Sequence, residues 1–152
     1  MRVLAACVSL CGAVTLSVAL DVDPGLDDAL AIMLALRSPE VRVDLVTTVA
    51  GNGPLQMTTH NALRLLQHLG AEDVPVSPGA AAPLCRPFQD ALGYHGPDAL
   101  GNVALAEPRS SAIPLPAPEA LFSFISSAPG ERVLVATGPL TNVALALQQH
   151  PE

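Results

Sequence analysis

Four of the chain's eight aspartates fall between positions 21 and 28: Asp21, Asp23, Asp27 and Asp28. Asp21 and Asp23 share one parity of an extended chain, so both side chains can point the same way as it leaves a strand. Pro24-Gly25 supplies a tight turn, and Asp27 and Asp28 return where a helical run begins. Carboxylates gathered within a few ångström repel one another unless a cation sits among them. Oxygen donors at this density suit a hard cation, Ca²⁺ or Mg²⁺. Capping a helix would need one Asp rather than four. An EF-hand loop is excluded, because it would need Asp or Asn where Gly25 stands and Gly where Leu26 stands.

Three further polar residues stand just past apolar runs or in a loop. Asn52 lies in Gly51-Asn52-Gly53, Thr137 in Thr137-Gly138-Pro139, and His95 in Tyr94-His95-Gly96. Taken alone, the two glycine-bearing segments read equally well as plain turns, and a lone loop histidine as a solvated one. His60 and His68 fall in a helical pattern as surface residues, and His150 is at the terminus.

The elements that must position these residues alternate. Val14–Leu20 is apolar and β-branched and predicts a buried strand running into Asp21. Residues 27–36 are strong helix formers with carboxylates in the first turn, stopped by Ser38-Pro39. Val41–Val49 predicts a second strand, residues 56–69 a helix ended by Gly70, and Val74–Val76 a short strand. Seven prolines between Pro78 and Pro116 predict a long loop with at most one helical turn. Pro118–Ser127 predicts a weak helix, Arg132–Ala136 a strand, and Leu140–Gln149 a helix. Strand–helix alternation gives an α/β fold with a mainly parallel sheet and flanking helices. In such a sheet the loops carrying Asp21, Asp23, Asn52 and Thr137 leave one common edge, where open α/β sheets bind ligands.

Composition narrows the function classes. The chain has 152 residues, enough for one domain, with 50% hydrophobic and 14% charged residues. All seven basic residues are arginines, and the net charge is −7. A disordered chain is excluded, and no basic run offers a nucleic-acid partner a surface. Aromatics are 3%, so the core must be aliphatic. Cys7, Cys11 and Cys85 form no CxxC pair and read as buried small hydrophobes. Val3–Leu20 carries no charge. A membrane helix there, or a signal peptide cleaved after Ala19, would consume the strand that delivers Asp21 and Asp23. The reading is therefore an apolar extension over residues 1–13, a domain over 14–152, no membrane partner and a cytoplasmic location. Secretion is the alternative, should residues 1–13 act as a signal peptide.

Asp21-Val22-Asp23-Pro24-Gly25-Leu26-Asp27-Asp28 resembles the D-x-D-P-G-x-D-D segment that opens the inosine-uridine preferring nucleoside hydrolase family. The likeness continues in order through Thr47–Asn52, His95-Gly96 and Ala136–Asn142, and covers about residues 14–150. It implies a nucleoside hydrolase-like fold with a Rossmann-like core. It implies hydrolysis of the N-glycosidic bond of ribonucleosides to ribose and free base, with Ca²⁺ as cofactor and the ribose of a nucleoside as the recognised part. By the same resemblance Asp23 touches the calcium and acts as general base, Asp28 is a bidentate ligand, and Thr137 gives its backbone carbonyl. Asp27 holds a ribose hydroxyl with Asn52 beside it, His95 lines the base side, and Asp21 supports the metal site. A homo-oligomer is compatible with it. Members of this family are about twice as long, which implies an N-terminal part of the domain. The alternative is a catalytically inactive half-domain that retains at most metal or partner binding. A haloacid dehalogenase-type phosphatase would use Asp21 as nucleophile and Asp23 as acid/base. It expects Thr or Val where Gly25 stands and leaves Asp27 and Asp28 without a role.

Overall fold

The computed structural model describes residues 15–151. Four strands, β1 (Leu16–Val22), β2 (Val41–Thr48), β3 (Val76–Pro78) and β4 (Arg132–Ala136), form one sheet in the order β3-β2-β1-β4, with every pairing parallel. Five helices accompany them: α1 (Leu26–Arg37), α2 (Leu55–His68), α3 (Leu92–His95), α4 (Ala117–Ser126) and α5 (Thr141–Gln149). The α/β fold expected from the alternation of elements is the one observed.

The apolar run of β1 is explained by its central place. Val18, Leu20 and Val22 face one core with Ile32 of α1 and Ala62, Leu65 and Leu66 of α2. Ala19 faces the other way, with Leu45, Ala120 and Leu121, so α4 covers the opposite face. A parallel strand buried on both faces reads as continuously hydrophobic. β1 and β2 slip by one residue between Val18 and Ala19, leaving Asp44 as the extra residue. Arg42, Ser17 and Arg132 bond to Asp44 there. They hold its carboxyl below the ordinary range, the Arg42 hydrogen bond contributing most.

β3 begins two residues later than Val74–Val76 predicts. Pro75 has no N–H, and its carbonyl instead accepts from Val46 N at 3.0 Å, after which Val76 enters register with Val46. The long segment to Pro116 contains one helical turn, α3, as expected. α2 pins its later part: Arg64 donates to the Leu105 carbonyl at 2.9 Å and Gln67 to that of Glu107 at 2.9 Å.

Cys85 corrects the reading of buried thiols. It is exposed, because Pro83 and Pro87 bracket it in a segment with no strand or helix to carry it inward. Cys7, Cys11 and the extension over residues 1–13 lie outside the described residues. Among the described residues no helix is long and apolar enough to cross a membrane.

Candidate active site

The carboxyl edge of the sheet gathers the chemistry-bearing residues. Asp21, inside β1, is fully buried. Its Oδ1 accepts from Thr47 Oγ1 of β2 at 2.6 Å and from Asn142 Nδ2 of α5 at 2.8 Å. Its backbone carbonyl accepts from Thr137 N at 3.0 Å and Gly138 N at 3.2 Å. Asp21 thus ties three strand ends and a helix together. Burial raises its pKa against the lowering effect of Thr47 and Asn142, and Oδ2 has no partner.

Asp23, the first residue past β1, is 5% exposed and accepts from Asn52 N at 2.7 Å through Oδ2. Its carboxylate lies between two loops that must come close. A Cβ on Gly51 would overlap Oδ2, and a Cβ on Gly138 would stand 2.8 Å from Oδ1. Burial, then the charge of Asp28, push its pKa up to about 7, against the hydrogen bond from the Asn52 backbone.

Asp28 projects inward from the first turn of α1 and is 2% exposed. Its Oδ1 accepts from Thr137 Oγ1 at 2.5 Å, and its Oδ2 from Asn52 Nδ2 at 3.0 Å and Gly25 N at 3.3 Å. Asn52 Nδ2 also donates to the Asp23 carbonyl at 3.0 Å. Three loops, those after β1, β2 and β4, therefore meet on two acids.

Asp27 does not join them. Successive residues of a helix point about 100° apart, and the Asp27 side chain is 78% exposed where that of Asp28 turns inward. It stands 3.9 Å from His95 Nδ1, which accepts from Leu26 N at 3.2 Å. A Cβ on Gly25 would fall 2.5 Å from Asn52 Nδ2 and 3.0 Å from His95 Cε1, so His95 sits beside the acid pair rather than out in solvent. The expectation of four converging carboxylates is corrected accordingly: Asp23 and Asp28 converge, Asp21 is bound into the sheet, and Asp27 stands at the rim. Among the described residues no set of three or more His, Cys, Asp or Glu side chains is arranged to hold a metal.

Sequence reasoning passed over Thr47 and Asn142 as site residues. The signal for Thr47 was a polar side chain within a strand run, and both lie in segments that resemble the family. A cavity of about 540 Å³ is lined by Gly51, Arg86, Phe88, Pro139 and Thr141 among others, and it shares Gly51 with the notch that holds Asp23, while neither Asp23 nor Asp28 lines it. That volume is in the range of small-molecule sites.

Residues 18–152 match the model of the inosine-uridine preferring nucleoside hydrolase family. The chain is 45% identical over 138 residues to the non-specific ribonucleoside hydrolase RihC of Salmonella agona, covering 91% of this chain and 45% of that protein. RihC of Klebsiella pneumoniae is 45% identical over 137 residues, with 90% and 45% covered. Among solved structures, a plant nucleoside hydrolase, PpNRh1, superposes with a TM-score of 0.82 at 42% identity, over 89% of this chain and 43% of that one. The purine-preferring ribonucleoside hydrolase from Gardnerella vaginalis gives a TM-score of 0.86 at 31% identity, with 89% and 44% covered. The chain spans about half the length of the curated relatives it matches. The order of motifs, the parallel sheet and the family model agree: the chain belongs to the inosine-uridine preferring nucleoside hydrolases.

Proposed function

We propose that this chain carries the acid-bearing part of a ribonucleoside hydrolase site, over residues 14–152, and that the site cleaves the N-glycosidic bond to give ribose and free base. The observation that carries this reading is the Asp23 carboxylate, held beside Asp28 in a notch between Gly51 and Gly138 with Oδ2 on Asn52 N. A carboxylate positioned in this way can serve as a general base. Asp23 takes the proton from water as the water oxygen bonds to C1′ of the ribose; the C1′–N bond breaks, its electron pair leaves with the base, and the base takes up a proton from solvent. The developing oxocarbenium ion is cationic, and the charge of Asp28 and Asp27 nearby favours it. Asp27, exposed on the rim, reaches a ribose hydroxyl. Asn52 fixes Asp23 through its backbone N–H, and His95 borders the base side.

The residues fit a hard cation. Asp23, Asp28 and Thr137 offer oxygen alone, and burial of two neighbouring acids leaves negative charge that a cation would relieve. In this reading Asp23, Asp28 and the Thr137 carbonyl would hold Ca²⁺, supplying part of the six to eight oxygens that ion prefers. When bound, calcium would supply the charge that acidifies water and anchors the ribose diol.

The test is ribose release from inosine and from uridine with calcium present, compared with Asp23→Ala. Loss of a general base is expected to cost about 10²–10⁴-fold. Ribose no higher than with Asp23→Ala would overturn the reading for this chain. Calcium titration calorimetry, read separately, reports whether the metal half of the proposal survives.

A further inference from the structure

Helix α1 begins without a side chain of its own to cap it. Its N-cap residue is Gly25, where serine, threonine or aspartate ordinarily stands to accept a first-turn N–H. A side chain has no room there: a Cβ on Gly25 would fall 2.5 Å from Asn52 Nδ2 and 3.0 Å from His95 Cε1. The acceptor comes instead from 69 residues away, where His95 Nδ1 takes the Leu26 N–H at 3.2 Å. His95 is held from behind to do so. Its carbonyl accepts from Gly101 N at 2.7 Å, and Ala91 N, which opens its turn, donates to the Asn52 carbonyl at 3.1 Å. Buried Asn61 of α2 joins the two loops, donating through Nδ2 to the Asp98 carbonyl at 2.8 Å and the Pro24 carbonyl at 3.4 Å.

We propose that His95 is a positioning residue: it caps α1 in place of an N-cap side chain, and the cap fixes its ring tautomer with the proton on Nε2. A backbone N–H can only donate, so Nδ1 must present a lone pair to Leu26. The neutral ring therefore carries its proton on the other nitrogen. Asp27 offers no competing bond at Nδ1, since its Oδ1 stands 3.9 Å away, beyond hydrogen-bond reach. The cap matters to the site because Leu26 and Asp28 share the first turn of α1, so what holds that turn also aims Asp28 inward. In the proposed site, where His95 borders the base side, the ring then offers a base an N–H donor and no acceptor. That last step rests on the proposed function, whereas the cap and the tautomer rest on geometry alone.

The test uses the isotope-labelled chain without metal at about pH 8, where an ordinary histidine is neutral. The nitrogen NMR shifts of the His95 ring should show a bare Nδ1 and a protonated Nε2. Amide exchange at Leu26 should rise at least about fivefold in His95→Ala, as expected for a lost cap. Asparagine carries its amide oxygen where Nδ1 stands, and glutamine carries its amide where Nε2 stands. His95→Asn should therefore return Leu26 exchange toward the parent value, and His95→Gln should not. A role confined to packing, or to a contact through Nε2, would not give that order. The ring shifts are read on the parent chain, so they stand even where a variant fails to fold. None of these readouts is ribose release, so a chain that does not hydrolyse nucleosides still tests the cap. A proton on Nδ1, or exchange in His95→Asn as fast as in His95→Ala, would overturn the proposal.

Discussion

Asn52 joins Asp23 to Asp28: its backbone N–H donates to Asp23 Oδ2 at 2.7 Å while its Nδ2 donates to Asp28 Oδ2 at 3.0 Å. One residue in the loop after β2 thus sets the spacing of two acids that arrive from the end of β1 and from α1. Asn52→Ala keeps the first bond and deletes the second, together with the Nδ2 bond to the Asp23 carbonyl. Loss of that charge-assisted bond is expected to cost about 1–2 kcal/mol. Urea unfolding of the metal-free chain measures it. Ribose release should fall with it, because Asp28 is freed to turn away from Asp23.

The glycine notch makes a graded prediction. Gly51→Ala drives a methyl into Asp23 Oδ2 and also to 2.9 Å from Pro139 Cδ, so the carboxylate must leave its place. Gly138→Ala meets Oδ1 at 2.8 Å, and Gly93→Ala meets nothing within 4 Å. A catalytic group displaced by about 1 Å can cost about 100-fold in rate. The expected order of damage is Gly51→Ala, then Gly138→Ala, with Gly93→Ala unchanged. Calorimetric calcium affinity and ribose release should both follow that order. Equal values for Gly51→Ala and Gly93→Ala would place Asp23 outside the notch.

pH supplies a third test, in the metal-free chain. The Asp23 pKa rises from 3.8 to about 7, and that of Asp21 moves in the same direction. A group with a raised folded pKa favours the folded state at low pH, and the benefit is lost as pH climbs through the folded value. Between about pH 4 and 7 Asp23 therefore makes the fold progressively less stable, and Asp21 acts in the same sense. Asp44 and Asp98 have lowered pKa values and act in the opposite sense, at more acid pH. The melting temperature without metal should fall between pH 5 and 8, and Asp23→Asn should flatten the fall. Added calcium should raise the melting temperature more at pH 8 than at pH 5. A melting temperature that rises from pH 5 to pH 8 in the metal-free chain would contradict the assignment.

Much of this was legible in the order of residues. β4 spans Arg132–Ala136 as the sequence predicts, because an apolar β-branched run between a turn and Thr137-Gly138 admits little else. β1 moved toward Val22 because pairing with β2, and not hydrophobicity, decides where a strand ends. The carboxyl-edge loops were legible for the same topological reason: parallel strands send their C-terminal loops to one side. Which acids converge was not legible, because that depends on rotation about α1 and on partners far along the chain. Asp27 and Asp28 are adjacent in sequence, yet one is exposed and the other buried. Asp21 is claimed by Thr47 and by Asn142, and the latter lies 121 residues away. No local pattern announces such a pairing.

Asn142 carries the last prediction. Fully buried, it donates through Nδ2 to Asp21 Oδ1 at 2.8 Å and the Thr48 carbonyl at 3.0 Å, and its Oδ1 accepts from Ala80 N at 2.8 Å. A Cβ on Gly79 would overlap its amide, so the chain after β3 is packed flush against it. Asn142→Leu keeps the volume and removes the partner of Ala80 N and one donor each to the Thr48 carbonyl and to Asp21 Oδ1, which Thr47 still holds; a buried polar group left unpaired costs about 1–3 kcal/mol. Asn142→Asp is more discriminating. Its oxygen still accepts from Ala80 N, but a second carboxyl now faces Asp21 in a fully buried position. One of the two must hold a proton, so its folded pKa is raised and its stabilising effect is lost as pH rises. Asn142→Asp should therefore approach the parent's stability at pH 5 and fall well below it at pH 8, while Asn142→Leu is weakened at both. Denaturant midpoints at the two pH values separate these outcomes. A pH-independent Asn142→Asp would mean that Asn142 does not hold Asp21 in place.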